Sequence, residues 1–366
     1  MRILIGADMV PTKSNMNSFT SGKMDDILDV KLIDCLKSAD YRIFNLEIPL
    51  TDHHKPIKKC GPNLISPLAA VKGYQAVKAN LLTLANNHIM DQGEQGLYST
   101  LKALDGEGIS HVGAGSNLEN AQRPFILEKE GLKIGIYACA EHEFSIAEKS
   151  KAGANPFDCP ASYLHVSELK KHCDKVIVLY HGGKEHYRYP SPGLRKSLKG
   201  FAKAGADLVI AQHSHCIGCM EKFKGAEIIY GQGNFLFDGD KNPFWNTSLL
   251  IQADISRESA EVSYVPLERC GSGVRISDND SILRDFKSRS KEILQDGFVE
   301  KSFDKFVSNY FKMIIEEHSG AKKFMLRIFI WFLRHLVGRR LRLMLLNYVE
   351  CESLNEVLVA GLKTSV

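Results

Sequence analysis

Five short apolar stretches of this 366-residue chain run directly into side chains that bind metals or move protons. Residues 2–6 lead to Asp8, 41–46 to Glu47, 80–85 to Asn87 and His88, 176–180 to His181, and 208–211 to His213 and His215. Carboxylates suit hard divalent cations, and zinc and other transition metals also take imidazole. A Glu has two oxygens with which to bridge two ions, and an Asn offers a neutral carbonyl oxygen. His213 and His215 stand two apart, which in an extended segment puts both rings on one side. This set of donors suits a two-metal site with its ions about 3.5–4 Å apart, which acidifies a bridging water and clamps an anionic oxygen.

Elements must hold these residues in place. Each of the five stretches is short, β-branched or aromatic, and bounded by turn residues, which favours strands. Further strands are expected at 133–139, 227–231 and 249–255, the last forming a hairpin with 262–265. Helical patterns fall at 23–38, 94–106 and 194–204, and the alternation of strand and helix argues an α/β or layered fold. In such sheets ligands bind beyond the carboxyl ends of the strands. One polar residue at a strand end is ordinary turn chemistry, whereas five in one chain point to a site.

The segments around these residues form a set. Asn45-Leu46-Glu47-Ile48-Pro49-Leu50-Thr51 and Ala85-Asn86-Asn87-His88-Ile89-Met90-Asp91-Gln92-Gly93 come first, followed by Val112-Gly113-Ala114-Gly115 with Ala121 and Pro124. His181-Gly182-Gly183-Lys184-Glu185, the stretch from Ala206 to His215, and Tyr230-Gly231-Gln232-Gly233-Asn234-Phe235 complete it. In order and spacing across about residues 1–240 these resemble the NLExPLT, ANNHxxDxG, GAG, HWGxE, ADxVIGHHPH and YSLGNF motifs of the bacterial capsule-synthesis (CapA, poly-γ-glutamate-synthesis) family, which is related to calcineurin-like metallophosphoesterases.

The resemblance implies a four-layer α/β/β/α sandwich of metallophosphoesterase type holding two divalent ions (Mn, Zn or Fe). Asp8 and His215 would bind the first metal, Asn87, His181 and His213 the second, and Glu47 would bridge. His88 would be the general acid for the leaving oxygen, and Asp91 would orient it or a substrate group. Glu185 and Asn234 would touch substrate or support the ligands. The implied reaction is metal-dependent hydrolysis of a phosphorylated or anionic precursor of a capsule or other surface polymer. A transfer or polymer-binding role in the same machinery is the alternative. The chain departs from the pattern at Val10, where a metallophosphoesterase DxH motif has its histidine, at Gln212, and at Gly183.

Other features carry less chemistry. His53, His54, His142, His165, His172 and His186 have no comparable context and read as structural or solvated. Cys216 and Cys219 are a CxxC without two further ligands, and Gly113-Ala114-Gly115 lacks nucleotide-fingerprint spacing and reads as a turn.

With 44% hydrophobic and 25% charged residues, the composition is that of a globular protein able to bury a sizeable core. The net charge of +4 is only mildly basic. Nine unpatterned cysteines and no leader-like N-terminus suggest a cytoplasmic protein. Residues 271–281 read as a linker, giving a domain over 1–270 and a helical C-terminal extension over 282–366. Within 322–342 the cations Lys322, Lys323, Arg327, Arg334, Arg339, Arg340 and Arg342 alternate with Phe324, Ile328, Phe329, Trp331, Phe332 and Leu333, with no acid. This reads as a basic amphipathic helix. It either lies on the inner face of a membrane or packs on the domain with its charges in water. No nucleic-acid module is visible, and no nucleic-acid partner is expected.

Overall fold

A computed structural model describes residues 1–238, 241–317 and 339–364. The strands are β1 (Arg2–Met9), β2 (Tyr41–Asn45), β3 (Leu81–Thr83), β4 (Ser110–Val112), β5 (Ala114–Gly115), β6 (Phe125–Lys129), β7 (Leu132–Ala140) and β8 (Gly153–Ala154). They continue with β9 (Lys175–His181), β10 (Leu208–Gln212), β11 (Met220–Phe223), β12 (Ala226–Tyr230), β13 (Asn234–Leu236), β14 (Thr247–Ile255), β15 (Ala260–Cys270) and β16 (Gly273–Ile276). An eight-stranded sheet runs β16-β15-β14-β1-β2-β3-β4, with β13 also paired to β1, and a six-stranded sheet runs β11-β12-β10-β9-β7-β6.

The helices are α1 (Met16–Ser21), α2 (Val30–Lys37), α3 (Val71–Ala76), α4 (Gly93–Gly106), α5 (Leu118–Ala121), α6 (Ala161–His172) and α7 (Pro192–Lys203). They are followed by α8 (Ser281–Glu292), α9 (Phe298–Glu317), α10 (Arg339–Glu350) and α11 (Glu352–Thr364).

Alternation along the strands builds the layers. Ile3, Ile5 and Ile43 of one sheet meet Ile136, Ile177 and Ile210 of the other in a core between the sheets. Their neighbours Leu4, Phe44 and Leu82 turn outward onto Leu32, Leu36 and Leu97 of the helices. On the far side, Tyr137, Val178 and Val209 pack on Val166, Leu198 and Phe201. The order is therefore helix, sheet, sheet, helix: the α/β/β/α sandwich. Strands covered on both faces read as continuous apolar runs rather than half-polar ones, as β1 and β9 do.

Three sequence readings are corrected. Residues 271–281 are not a free linker, because Gly273–Ile276 pairs with β15 as the edge strand of the larger sheet. The helical pattern at 23–38 breaks into a short 3-10 turn, Met24–Asp26, and α2. The Asp29 side chain restarts the helix there, accepting from the backbone N–H groups of Lys31 and Leu32. Gly113-Ala114-Gly115, read as a turn, puts Ala114 and Gly115 in a two-residue strand against β8.

The C-terminal helices dock on the sandwich. Tyr187, Phe303, Val307 and Val357 share a buried cluster, and Glu352 takes the Nδ1–H and backbone N–H of His142 at 2.6 and 2.7 Å. Apart from the start of α10, whose side chains up to residue 342 are likewise not described, the basic stretch 322–342 lies outside the described residues. Among the described residues no helix is long and apolar enough to cross a membrane.

Candidate metal centre

Strand register brings the five polar endings together. In the larger sheet Asp8 is level with Asn45 on β2 and with Asn234 on β13. In the smaller sheet His181 is level with Gln212 on one side and Ala140 on the other. Asp8, Asn45, His181 and Gln212 stand at the carboxyl ends of their parallel strands, while Asn234 opens β13, and the two sets meet at the top of the sandwich.

Asp8 and Glu47 are fully buried. Asn45 Nδ2–H donates to Asp8 Oδ1 at 2.7 Å, while His215 Nδ1 lies 3.4 Å from Asp8 Oδ2. His181 Nε2 lies 3.3 Å from Glu47 Oε1, 3.1 Å from Asn87 Oδ1 and 3.1 Å from His213 Nδ1. Asn234 Oδ1 lies 2.9 Å from His215 Nδ1. Glu47 joins two groups of close ligand atoms, one with His181 and His213 and one with Asp8 and His215. Glu185, an exposed residue, forms a further group with His213 and His215.

His213 and His215 converge by a different route from the extended pair expected. Both have left-handed backbone, with φ of 87° and 51°, and their ring centroids are 5.8 Å apart. Such conformations are strained for residues with a Cβ and persist where the surroundings impose them. Asn234 is delivered by a glycine turn. Gly233 has φ of +77°, and a Cβ there would stand 2.7 Å from the Thr247 carbonyl oxygen.

The charge state of the cluster fits divalent cations. Asp8 Oδ2 and both oxygens of Glu47 are buried without a hydrogen-bond partner, an arrangement that costs free energy unless a cation occupies the space between them. Burial, and then the charge of Asp8, push the Glu47 carboxyl well above the ordinary carboxylate range. Burial opposes ionisation of Asp8 too, but the contact with His215 and the nearby His181 hold it at about 2. Burial lowers His181 to about 3 and drives His213 well down, keeping both rings neutral, which is the form that binds metal. Val10 lies in the core, with its N–H bonded to the Leu236 carbonyl at 2.6 Å, so position 10 contributes no donor.

His88 sits at the edge of this cluster. Its Nδ1 is 2.6 Å from Asp91 Oδ2, which leaves Nε2 as the ring nitrogen able to meet a ligand. Asp91 also receives the Leu64 N–H at 2.6 Å and is ion-paired with Lys59, whose Nζ is 3.2 Å from His88 Nδ1.

Several neighbours went unread in the sequence. Glu141 and Glu143 approach His213 Nε2 at 3.9 and 4.0 Å. Glu141 follows β7, so the strand-end rule that picked out the other sites applies to it as well. His186, read as structural or solvated, lies near His215 with its ring tilted and centroids 6.3 Å apart, and accepts a 2.8 Å hydrogen bond from Trp245 Nε1. Trp245 itself covers the His215 ring, with centroids 4.5 Å apart. Lys59 lies in a loop with no periodic pattern to mark it. Cys216 and Cys219 are buried free thiols.

The fold is a four-layer α/β/β/α sandwich, and the cluster at its top is a candidate divalent-metal centre. The family model described as "Bacterial capsule synthesis protein PGA_cap" matches residues 6–239, and the chain belongs to that family. It is 31% identical over 207 residues to the PGA biosynthesis protein CapA of Bacillus subtilis, covering 55% of this chain and 54% of that protein. It is 30% identical over 212 residues to the capsule biosynthesis protein CapA of Bacillus anthracis, covering 56% and 52%. The chain thus spans about half the length of these relatives. Among solved structures, a Haemophilus influenzae NAD nucleotidase aligns with a TM-score of 0.47 at 15% identity, covering 85% of this chain and 67% of that one. A novel phosphatase from Mycoplasma pneumoniae aligns at 0.45 and 14%, covering 81% and 98%.

Proposed function

We propose that this protein is a divalent-metal-dependent phosphoesterase that hydrolyses a phosphorylated or anionic precursor in the making of a capsule or another surface polymer. The observation that carries the reading is the set of three unpartnered buried oxygens on Asp8 and Glu47, ringed by imidazoles beside the His88–Asp91 pair. Asp8 and His215 would hold one ion, Asn87, His181 and His213 a second, and Glu47 both, with Asn234 orienting the His215 ring. Divalent ions bound there (Mn, Zn or Fe) would polarise a phosphoryl oxygen and lower the pKa of the attacking water.

The chain's own residues supply the rest. Asp91 accepts from His88 Nδ1 and fixes the ring, so that a proton on His88 Nε2 is aimed at the pocket. Transfer of that proton to the leaving oxygen lets it depart as a neutral alcohol. Lys59 balances the Asp91 charge, so Asp91 orients His88 without adding net negative charge to a site that must admit an anion. The burial of every candidate ligand but Asn87 and Glu185 limits bulk water at the centre.

The cations and aromatics of 322–342 support a second element of the proposal: peripheral contact with an anionic membrane surface, where lipid-linked precursors would be met. Metal-dependent turnover of phosphomonoesters and phosphodiesters by the purified protein is the test of the catalytic reading. A protein that binds metal and cleaves neither would instead have a transfer or polymer-binding role.

A further inference from the structure

The mouth of the candidate centre is completed by residues far outside the 6–239 family match. A pocket of about 170 Å³ opens over Asn87, His88 and His213, with Asn347 of α10 and Ser353 of α11 forming its opposite wall. Pockets that enclose drug-sized ligands typically hold about 300–1,000 Å³, so this one is smaller than that range and suits a small anionic group. Beside it lies a larger, open pocket of about 1040 Å³ between α7, α9 and the C-terminal helices. Gly183 and Ser353 line both spaces, so the two are adjacent there.

The wall is latched to the catalytic layer. The Ser353 backbone N–H and Oγ–H donate to the two oxygens of buried Glu141 at 3.2 and 3.1 Å, and Glu141 reaches to 3.9 Å from His213 Nε2. On the same helix Glu352 holds His142, and Glu356 takes the Gly193 N–H at the start of α7 at 2.7 Å. Three successive anchors therefore fix the first turns of α11 against the site.

We propose that this C-terminal wall is a substrate gauge: it restricts the centre to a terminal phosphoryl group, carried by a small molecule or the end of a chain, and excludes the interior linkage of a polymer or a diester with two bulky arms. An internal linkage needs exits on two sides of the phosphorus, and Asn347, Cys351, Ser353 and Leu354 of the C-terminal segment take up part of the lining through which a second arm would have to leave. The proposal rests on the phosphoesterase reading above and narrows its substrate class.

The test uses the full chain with Mn²⁺. Calorimetry with inorganic phosphate and with diphenyl phosphate measures admission without turnover, and p-nitrophenyl phosphate and its bis-ester measure turnover. Wild type is expected to bind phosphate and not diphenyl phosphate, and to cleave the monoester in preference to the diester. Glu352→Gln with Glu356→Gln, which loosens α11, should improve diphenyl phosphate binding about tenfold or more while phosphate binding stays within about twofold. Asn347→Phe, which narrows the pocket without touching the anchors, should raise KM for the monoester, and it decides the matter if the double variant does not fold. Equal binding of both ligands by wild type, or no change with either variant, would overturn the gauge. Loss of turnover on every ester with the binding preference intact would overturn hydrolysis and leave the gauge standing.

Discussion

Lys59 and Asp91 form an ion pair whose side chains are only 3% and 0% exposed, directly behind the His88 ring. A buried pair of this kind adds little net stability against an apolar replacement of both partners, but breaking one side strands a charge. Lys59→Met should therefore destabilise the protein by about 3 kcal/mol, read by denaturant unfolding. It should also lower kcat, because Asp91 is then free to hold His88 differently. Lys59→Arg should recover most of the stability. A neutral outcome for Lys59→Met in both measurements would show that the pair positions nothing.

His88 is expected to matter for turnover and not for metal retention. His88→Asn should keep the wild-type metal content and lose about 10²–10⁴-fold in rate. The loss should shrink for esters whose leaving groups need no proton, such as p-nitrophenol. A uniform loss across leaving groups would remove the acid role and make His88 a binding contact.

The α11 anchor at His142 carries a pH dependence. The hydrogen bond and charge of Glu352 raise the His142 pKa, helped by nearby Asp158 and Glu350 and opposed by burial. A group raised on folding stabilises fully below its unfolded value of about 6.5 and loses that contribution as pH climbs through the folded value. Docking of α11 should thus weaken from about pH 6.5 upward. The effect is small, since both side chains are 38% exposed and screened by water. Melting temperatures of wild type and Glu352→Gln, compared across that range, should converge at high pH. A constant difference would leave the anchor without a titrating component.

Much of the centre was legible because strand register is a local property with a global result. Asp8, Glu47, Asn87, His181 and His213 each follow an apolar run, and parallel pairing brings such endings level. The paths of His213 and His215 were not legible, because left-handed backbone at a non-glycine residue is imposed by tertiary contacts rather than by local preference. Lys59 escaped notice for a related reason: its role depends on a loop folded back over Asp91, with the Ile57 N–H on the Asp91 carbonyl at 3.0 Å. The strand at 273–276 was hidden by the turn-forming residues around it, and it is recruited by the long β14–β15 hairpin beside it.

Membrane contact through 322–342 is tested by co-sedimentation with vesicles. Each cation near an anionic leaflet contributes about 1 kcal/mol, which salt weakens. Binding to anionic and not to neutral vesicles, reduced by Arg334→Glu with Arg339→Glu, is expected. A protein that stays in the supernatant with anionic vesicles at low salt has no such contact.

The most direct measurement of the central claim follows metal content and phosphoester hydrolysis together. Metal-free protein is titrated with Mn²⁺ and assayed on p-nitrophenyl phosphate, beside Glu47→Gln and the His181→Ala, His213→Ala double variant. The account predicts that hydrolysis appears with bound metal and saturates with it, that Glu47→Gln weakens both, and that the double variant shows neither. Metal retained by the double variant at the wild-type level, or full metal binding by wild type without cleavage of any phosphomonoester or phosphodiester, would contradict it.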